Sequence, residues 1–282
     1  MITMQMEKVS FSYKGKALSP RQAIREISLT VSAGECVALI GEEGSGKTTV
    51  LRLLDGLLTP DGGGVAAGGI PFGANPARDV ETRCRIGMAF QHPEEQFVAE
   101  TVELDFTEYL SRRKCPEGER GERTLTALAT LGLTDRVIFD RSPFTLSPGE
   151  ARLVSLAQII SGRPDAMLLD EPTAALDAKG IRCVERAVRQ LLESGVTMVV
   201  ATHDIDFAAE VATRVVLLKD GSVVADGPSG AILNNEALLR AHGYDVPEAV
   251  TVAAMMMKAG QLPQRHIINR SELLQAVAAR MD

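Results

Sequence analysis

The sequence predicts an α/β protein built on a mostly parallel β-sheet, and three observations support this. Short apolar runs typical of strands alternate with segments of helical spacing, as in folds whose parallel strands are joined by helices. Hydrophobic residues make up 45% of the 282 residues, which is enough for a substantial buried core. The runs at 36–40 and 166–169 are apolar throughout, which indicates strands covered on both faces.

The elements are predicted in a regular order from their periodicity and their turn residues. Strands are predicted at 9–13, 27–31, 36–40, 86–90, 166–169 and 196–201, with a last hairpin that starts at 215–218 and turns at 220–221. Helices are predicted at 49–58, 147–161 and 178–194, with a helical insertion at 101–141 that is broken at 115–119. The stretch at 59–79 is rich in Gly and Pro and predicts turns between short strands.

The pattern changes after Pro228, where helical segments at 231–241, 250–258 and 271–281 follow one another. This stretch is too short to bury an independent core, so we expect it to pack on the main domain or on a partner. The chain is therefore divided into a main domain at 1–227 and a small C-terminal domain at 228–282.

A glycine-rich loop follows the apolar strand at 36–40 and precedes a helix. Its glycines allow successive N–H groups to surround phosphate oxygens, and the helix N-terminus faces the same anion. Lys47 would add positive charge at the β- and γ-phosphates, and Thr48 would offer a hydroxyl to Mg²⁺. The sequence thus predicts a site for ATP and Mg²⁺. The predicted contacts are Gly41, Glu42, Glu43, Gly44, Ser45, Gly46, Lys47, Thr48 and Thr49.

Two adjacent carboxylates, Asp170 and Glu171, follow the apolar strand at 166–169. Because side chains alternate along a strand, the two cannot have the same role. Asp170 is predicted to reach the Mg²⁺ shell, and Glu171 to polarise the attacking water. An acidic pair at a surface turn is the plain alternative, but the preceding glycine-rich loop favours ATP hydrolysis.

Further motifs resemble those of ABC ATPases over residues 1 to about 227. The run Leu146-Ser-Pro-Gly-Glu150 is similar to their LSGGQ signature, and 175–177 and 201–204 resemble the D-loop and the switch-histidine segment. The resemblance implies a P-loop NTPase fold of ABC type: a mostly parallel core sheet, an antiparallel β subdomain, a helical subdomain at about 91–161 and a small helical C-terminal appendage.

The resemblance also implies roles for particular residues, in a head-to-tail pair of ATPase subunits. Ser147, Gly149 and Glu150 would contact the nucleotide held by the partner subunit. The remaining implied roles are adenine stacking for Tyr13, contact with Mg²⁺ or water for Gln91, contact with the γ-phosphate for His203, and the D-loop aspartate for Asp177.

Three residues depart from the family pattern. Pro148 replaces a glycine of the signature, at a first helical position where the missing N–H is tolerated. Ser147 and Glu150 are spaced as a capping box, which predicts that each bonds the backbone of the other. Glu150 in place of glutamine and Glu43 in place of asparagine bring negative charge near phosphate, which is compatible with slow or partner-dependent hydrolysis. Glu42 and Glu43 are expected to point to solvent or to the partner.

The run Gln91-His-Pro-Glu-Glu-Gln96-Phe97, here called the glutamine loop, resembles the QNPDDQ stretch of energy-coupling factor transporters. The tail resembles theirs as well, from Tyr244 to the closing helix at 271–281. This resemblance implies an importer of a metal such as cobalt or nickel, or of a vitamin. The tail would hold the ATPase dimer together, and a groove after Gln91 would receive integral membrane subunits. A generic helical appendage is the alternative for the tail.

Composition narrows the function classes further. A net charge of −7 argues against nucleic acid as a partner. No apolar stretch approaches the roughly 20 residues of a membrane span, so we expect the chain to stay in the cytosol unless a partner holds it at a membrane. With membrane subunits as partners, the resemblance implies a peripheral protein at the cytoplasmic face of the membrane. Another importer, a non-transport ABC ATPase and an ATP-binding module of low hydrolysis remain alternatives. The second ATPase subunit is a copy of this chain or a paralogue.

Overall fold

The computed structural model describes residues 1–14, 21–73, 75–263 and 266–281. Its strands are β1 (Met4–Tyr13), β2 (Arg21–Val31), β3 (Cys36–Ile40), β4 (Gly62–Ala67), β5 (Ile70–Pro71), β6 (Ile86–Ala89), β7 (Ala166–Asp170), β8 (Thr197–Ala201), β9 (Arg214–Lys219) and β10 (Ser222–Pro228). Its helices are α1 (Lys47–Leu54), α2 (Pro76–Arg83), α3 (Val102–Arg112), α4 (Glu117–Thr130), α5 (Val137–Asp140), α6 (Pro148–Ser161), α7 (Ala178–Glu193), α8 (Ile205–Val211), α9 (Ser229–Leu233), α10 (Glu236–Ala241), α11 (Glu248–Lys258) and α12 (Arg270–Met281).

The central sheet has six strands in the order β10-β9-β3-β8-β7-β6. All neighbours from β9 to β6 are parallel, and only β10 pairs antiparallel with β9. The predicted, mostly parallel core sheet is confirmed. The carboxyl ends of β3, β6, β7 and β8 therefore meet at one edge, which is where open α/β sheets bind their ligands.

A second, antiparallel sheet with the order β2-β1-β4-β5 covers one side of the core, as predicted. The side chains of β3 alternate between two hydrophobic clusters. Val37 and Leu39 belong to the cluster shared with the antiparallel sheet and α1. Cys36, Ala38 and Ile40 belong to the cluster shared with the helical insertion. The strand that leads into the glycine-rich loop is thus held rigidly from both faces.

The predicted helical insertion is present as α3 to α5, and the helix predicted at 147–161 follows it as α6. This helix begins at the predicted capping box, which is confirmed because Ser147 and Glu150 bond each other's backbone. Arg152 and Gln158 of this helix are buried, although both are polar. The helix is therefore tied to its surroundings by polar contacts as well as by apolar packing.

Three of the differences from the predicted elements concern helices of the main domain. The first helix ends at Leu54 rather than at 58, because Gly56 takes φ +71° and the Phe72 ring lies where a Cβ would be. The helix α2 begins inside the stretch predicted as turns. Its N-terminus is capped by Asn75, but it buries only Thr82, so it lacks hydrophobic periodicity. The helix α8 was not predicted, and its cap is Asp204, directly after the switch histidine.

The C-terminal helices carry a hydrophobic cluster of four buried residues, Ala253, Leu262, Ile267 and Ala276. Polar contacts fasten α12 to the core: Arg270 bonds Glu185 (2.7 Å), and the Ser271 hydroxyl donates to Glu210 (2.8 Å). The expectation that the tail packs on the main domain is confirmed by these contacts. Across the described residues, no helix combines the length and the apolar character needed to cross a bilayer.

Candidate functional site

A cavity of about 810 Å³ opens at the carboxyl edge of the parallel strands. Its volume is in the range of small-molecule sites. Residues from the glycine-rich loop, the antiparallel sheet, the glutamine loop, β7 and β8 converge on it. The predicted site residues in its lining are Tyr13, Glu43, Gly44, Gly46, Lys47, Thr48, Thr49, Gln91, Asp170, Glu171 and His203.

The glycine-rich loop depends on two glycines for its shape. Gly46 has φ +109°, and a Cβ there would lie 2.9 Å from Ile24 Cδ1 and 3.0 Å from the Ala23 carbonyl oxygen. At Gly41 a Cβ would lie 2.4 Å from the Leu218 carbonyl oxygen. Any larger residue would displace the loop from β2 and β9. The loop then delivers its backbone directly into α1, whose N-terminus opens on the cavity.

The Lys47 side chain lies folded over this loop. Its ammonium donates to the carbonyl oxygens of Gly41 (2.6 Å) and Glu42 (3.2 Å). Burial lowers the pKa of Lys47, and the nearby carboxylates of Glu171 and Asp170 oppose that shift. A positive charge is therefore held at the loop by two carbonyl oxygens, which a phosphate can replace as a stronger partner.

Asp170 ends β7 and is buried. Burial raises its pKa, and a hydrogen bond from the Thr48 side chain opposes that effect. A hydroxyl and a carboxylate side by side match the oxygen ligands of Mg²⁺, which in nucleotide sites takes one or two protein ligands besides phosphate. Among the described residues, no group of three His, Cys, Asp or Glu side chains could hold a metal alone. The residues present thus fit Mg²⁺ only together with phosphate oxygens.

Glu171 has an unusual backbone conformation, with φ +49°. Its carboxylate accepts from the Thr202 hydroxyl (3.2 Å) and from the His203 backbone N–H (3.4 Å). The Nδ1 atom of His203 lies 2.9 Å from the same carboxylate oxygen. A non-glycine residue in this region is strained, and such strain is common at active sites. The carboxylate is oriented by three contacts and still lines the cavity.

Tyr13 closes the cavity on the side of the antiparallel sheet. A hydrogen bond joins its hydroxyl to that of Thr49 (3.2 Å), and its ring packs edge-on against Phe11. The lining also contains residues that the sequence analysis did not identify, because no local pattern marks them as ligands. They are Gln22, Ala23, Arg25, Ala174, Asp220 and Gly221.

The other predicted loop residues lie on the far side of the loop. Gly41, Glu42 and Ser45 line a second cavity of about 100 Å³, together with the tail residues His242 and Tyr244. Glu42 and Glu43 are exposed, in agreement with the expectation for these acids. The tail therefore lies against the glycine-rich loop on the side away from the larger cavity.

The signature residues Ser147, Gly149 and Glu150 lie at the start of α6, outside the lining of the 810 Å³ cavity. Arg141 pairs with Glu150 (2.8 Å), while the Ser147 N–H donates to the other carboxylate oxygen (2.8 Å). These two contacts, the Ser147 backbone first, lower the pKa of Glu150. The Glu150 carboxylate is thus already paired within its own subunit, and no local pattern in the sequence predicts Arg141 as its partner.

The predicted D-loop lies against the signature. A Cβ added at Gly149 would be 3.1 Å from the Ala175 carbonyl oxygen, so a larger residue would require one of the two segments to shift by a few tenths of an ångström. Asp177 caps α7 by accepting from the Gly180 N–H (2.7 Å). The structure therefore groups Ser147, Gly149 and Asp177 on a surface separate from the cavity that holds Lys47 and Glu171.

Comparison with known proteins is consistent with this arrangement. Residues 24–174 match the profile of the ABC transporter family. An energy-coupling factor transporter ATP-binding protein of Clostridium perfringens is 31% identical over 98% of this chain and 97% of its own length. A cobalt import ATP-binding protein of Rhodobacter capsulatus is 33% identical over 98% and 95%. A dimeric ATP-binding cassette in a post-hydrolysis state, bound to ADP and Pi, has a TM-score of 0.74 at 28% identity, covering 80% of this chain and 98% of its own.

Proposed function

Because the chain belongs to the ABC transporter family and is an ABC-type ATPase, we propose that it powers solute import by an energy-coupling factor transporter. One observation supports this most strongly. Lys47, Asp170 and Glu171 converge on one cavity, at the edge of the sheet where phosphate, cation and water must meet during hydrolysis. The relatives named for energy-coupling factor transport and cobalt import match nearly the whole chain, including the tail.

The proposed chemistry follows from the positions of the side chains. The loop amides and Lys47 bind the β- and γ-phosphates, and the Tyr13 ring stacks on adenine. Thr48, Asp170 and Gln91 would hold Mg²⁺, which when bound neutralises charge developing on the phosphates. Glu171 accepts a proton from the attacking water. His203 lies beside that carboxylate and contacts the γ-phosphate.

The site is completed in a head-to-tail dimer in this proposal. Ser147, Gly149 and Glu150 lie outside the cavity of their own subunit, at a helix N-terminus suited to a phosphate anion. They would contact the nucleotide of the second ATPase subunit, with Asp177 on the same surface. The dimeric state of the ADP-bound cassette supports such a pair.

Two further parts of the proposal concern partners. Residues 1–227 form the ATPase domain, and residues 228–282 form a domain that stabilises the dimer. The helical subdomain at about 91–161 exposes large apolar side chains, which would receive integral membrane subunits and keep the protein at the cytoplasmic face of the membrane. These side chains are Val98 (59% exposed), Leu104 (50%), Val137 (64%) and Phe144 (62%). Cobalt, nickel or a vitamin is the proposed cargo.

Two substitutions test the proposed site. Lys47→Ala should abolish ATP binding, because it removes the charge that faces the phosphates. Glu171→Gln should bind ATP but hydrolyse it at least about 100-fold more slowly, the usual scale for loss of a general base. Equilibrium binding of a fluorescent ATP analogue and phosphate release would measure both effects.

The matched control is Glu193→Gln, which neutralises an exposed carboxylate at the end of α7 and should change neither quantity. Hydrolysis by Glu171→Gln at the rate of the unmodified protein would refute the role of Glu171. Transport assays of the reconstituted complex with cobalt, nickel and vitamins would identify the cargo.

A further inference from the structure

Arg152 is a buried arginine in the second turn of α6, with 3% of its surface exposed. Its guanidinium donates two hydrogen bonds to backbone carbonyls at the end of β6. One goes to Phe90 (2.7 Å) and the other to Gln91. The helix that carries the signature is therefore bonded directly to the residue that begins the glutamine loop.

The position of this arginine is not explained by packing alone. Elsewhere the same helix uses apolar contacts against β6, where Ile159 lies where a Cβ of Gly87 would be. Burial of Arg152 lowers its pKa, and Asp170 is the first of the carboxylates that oppose this shift. Burying a guanidinium is costly unless it is well bonded. Its two terminal nitrogens make these carbonyl bonds, while its buried Nε has no hydrogen-bond partner among the described residues.

The two ends of this contact serve different nucleotides if the proposed head-to-tail dimer is correct. The Gln91 side chain lines the cavity of its own subunit. The N-terminus of α6, with Ser147 and Gly149, faces the nucleotide of the second subunit. The helix is continuous from Pro148 to Ser161, so a shift of the Gln91 backbone is transmitted to the signature through one side chain.

We propose that Arg152 is a positioning residue that couples the two ATP sites of the dimer. The inference rests on the proposed function, because it needs the signature to act on the second nucleotide. When Gln91 moves towards its own nucleotide, its carbonyl carries Arg152 and the start of α6 with it. ATP bound at one site then favours closure of the other ATP site. The two sites are coupled because both act on the position of α6.

The structure offers a matched control. Arg113, directly after α3, also donates to two carbonyls of the β6 region, those of Cys84 (2.6 Å) and Ile86 (2.8 Å), but at the opposite end of the strand. Arg152→Met and Arg113→Met each remove two such bonds and keep an unbranched side chain. Only the first breaks the contact with the glutamine loop.

The test measures ATP hydrolysis by the assembled dimer as a function of ATP concentration. With two coupled sites the Hill coefficient can reach at most about two. We expect Arg152→Met to lower kcat about tenfold or more and to bring the Hill coefficient to about one, and Arg152→Lys to restore part of both. Arg113→Met should keep the Hill coefficient of the unmodified protein. Equal Hill coefficients in the two methionine variants would overturn the proposal.

A second measurement needs no substitution at Arg152. Hydrogen exchange of the unmodified chain is measured with and without a non-hydrolysable ATP analogue. The protein concentration is one at which sedimentation shows a monomer. Coupling predicts slower exchange at 147–156 together with 86–97. If the nucleotide leaves the exchange rate at 147–156 unchanged, the coupling role of Arg152 is wrong. Glu171→Gln separates the two proposals, since a fully active Glu171→Gln dimer contradicts the catalytic site rather than the coupling.

Discussion

The carboxylate of Glu210 fastens the C-terminal domain to the ATPase core, and its removal provides a sharp test of what that domain does. Glu210 lies on α8 with only 3% of its side chain exposed. It pairs with Arg189 of α7, accepts from the Ser271 hydroxyl (2.8 Å) and accepts from the Ser271 backbone N–H (3.2 Å). One side chain therefore joins two core helices to the first turn of α12.

The expected magnitude follows from these contacts. Removing one partner of a fully buried ion pair costs about 3–5 kcal/mol. Arg189 is 41% exposed, so water screens the charge that Glu210→Ala leaves behind, and we discount the cost to about 2 kcal/mol. If the whole of this free energy is lost from the equilibrium that attaches α12 to the core, the fraction of molecules with a detached α12 rises by a factor of roughly 30.

The assay combines urea unfolding, hydrogen exchange at 270–281 and sedimentation without nucleotide. Glu210→Ala should lower the free energy of unfolding, speed exchange in α12 and weaken the nucleotide-free dimer. The control is Glu236→Ala in the same domain, where an exposed pair with Arg240 contributes at most about 0.5 kcal/mol. Faster exchange in α12 with unchanged dimer affinity would refute the role of the tail in dimerisation.

Two further predictions concern coupling and pH. Gln91→Ala should lower the basal ATPase modestly but abolish stimulation and transport in the reconstituted membrane complex, and a variant complex that transports normally would remove this role. Burial raises the pKa of Asp55 from 3.8 to about 7, so the native chain holds a proton that the unfolded chain releases. The free energy of unfolding should therefore fall as pH rises from about 4 to 7. In Asp55→Asn that fall should be smaller in urea titrations, and an unchanged pH dependence would contradict the assignment to Asp55.

Local signals predicted the parts of the fold whose structure is set by nearby residues. The strand at 36–40, the glycine-rich loop and α6 were all placed correctly, because a continuous apolar run, a cluster of glycines and a capping box mark them in the local sequence. The helix α2 was not predicted because it is mostly exposed. Hydrophobic periodicity marks a helix only where one of its faces is buried. The end of α1 was misplaced because the Gly56 turn depends on the distant Phe72 ring.

The sequence predicted which residues belong to the candidate site. It did not predict which other side chains hydrogen-bond to them and orient them. Motif spacing identified Lys47, Asp170 and Glu171, since each belongs to a short run with a known chemical purpose. The partners that orient them, such as Thr202 directly after β8, follow other strands and become neighbours only in the folded sheet. Arg152 illustrates the same limit, because nothing in its local sequence indicates a bond to a carbonyl 61 residues away.

The contacts of Glu150 and Pro148 show how these two departures from the signature pattern affect the start of α6. The sequence raised the possibility that Glu150, a carboxylate near phosphate, weakens closure of the dimer. In the structure both of its oxygens are engaged, one by Arg141 and the other by the Ser147 N–H. A carboxylate bound in this way adds little net negative charge, while its capping of α6 keeps the helix N-terminus ordered. Pro148 costs no hydrogen bond at the first helical position. With both departures the start of α6 therefore stays capped, and neither Pro148 nor Glu150 belongs to the lining of the cavity that holds Lys47 and Glu171.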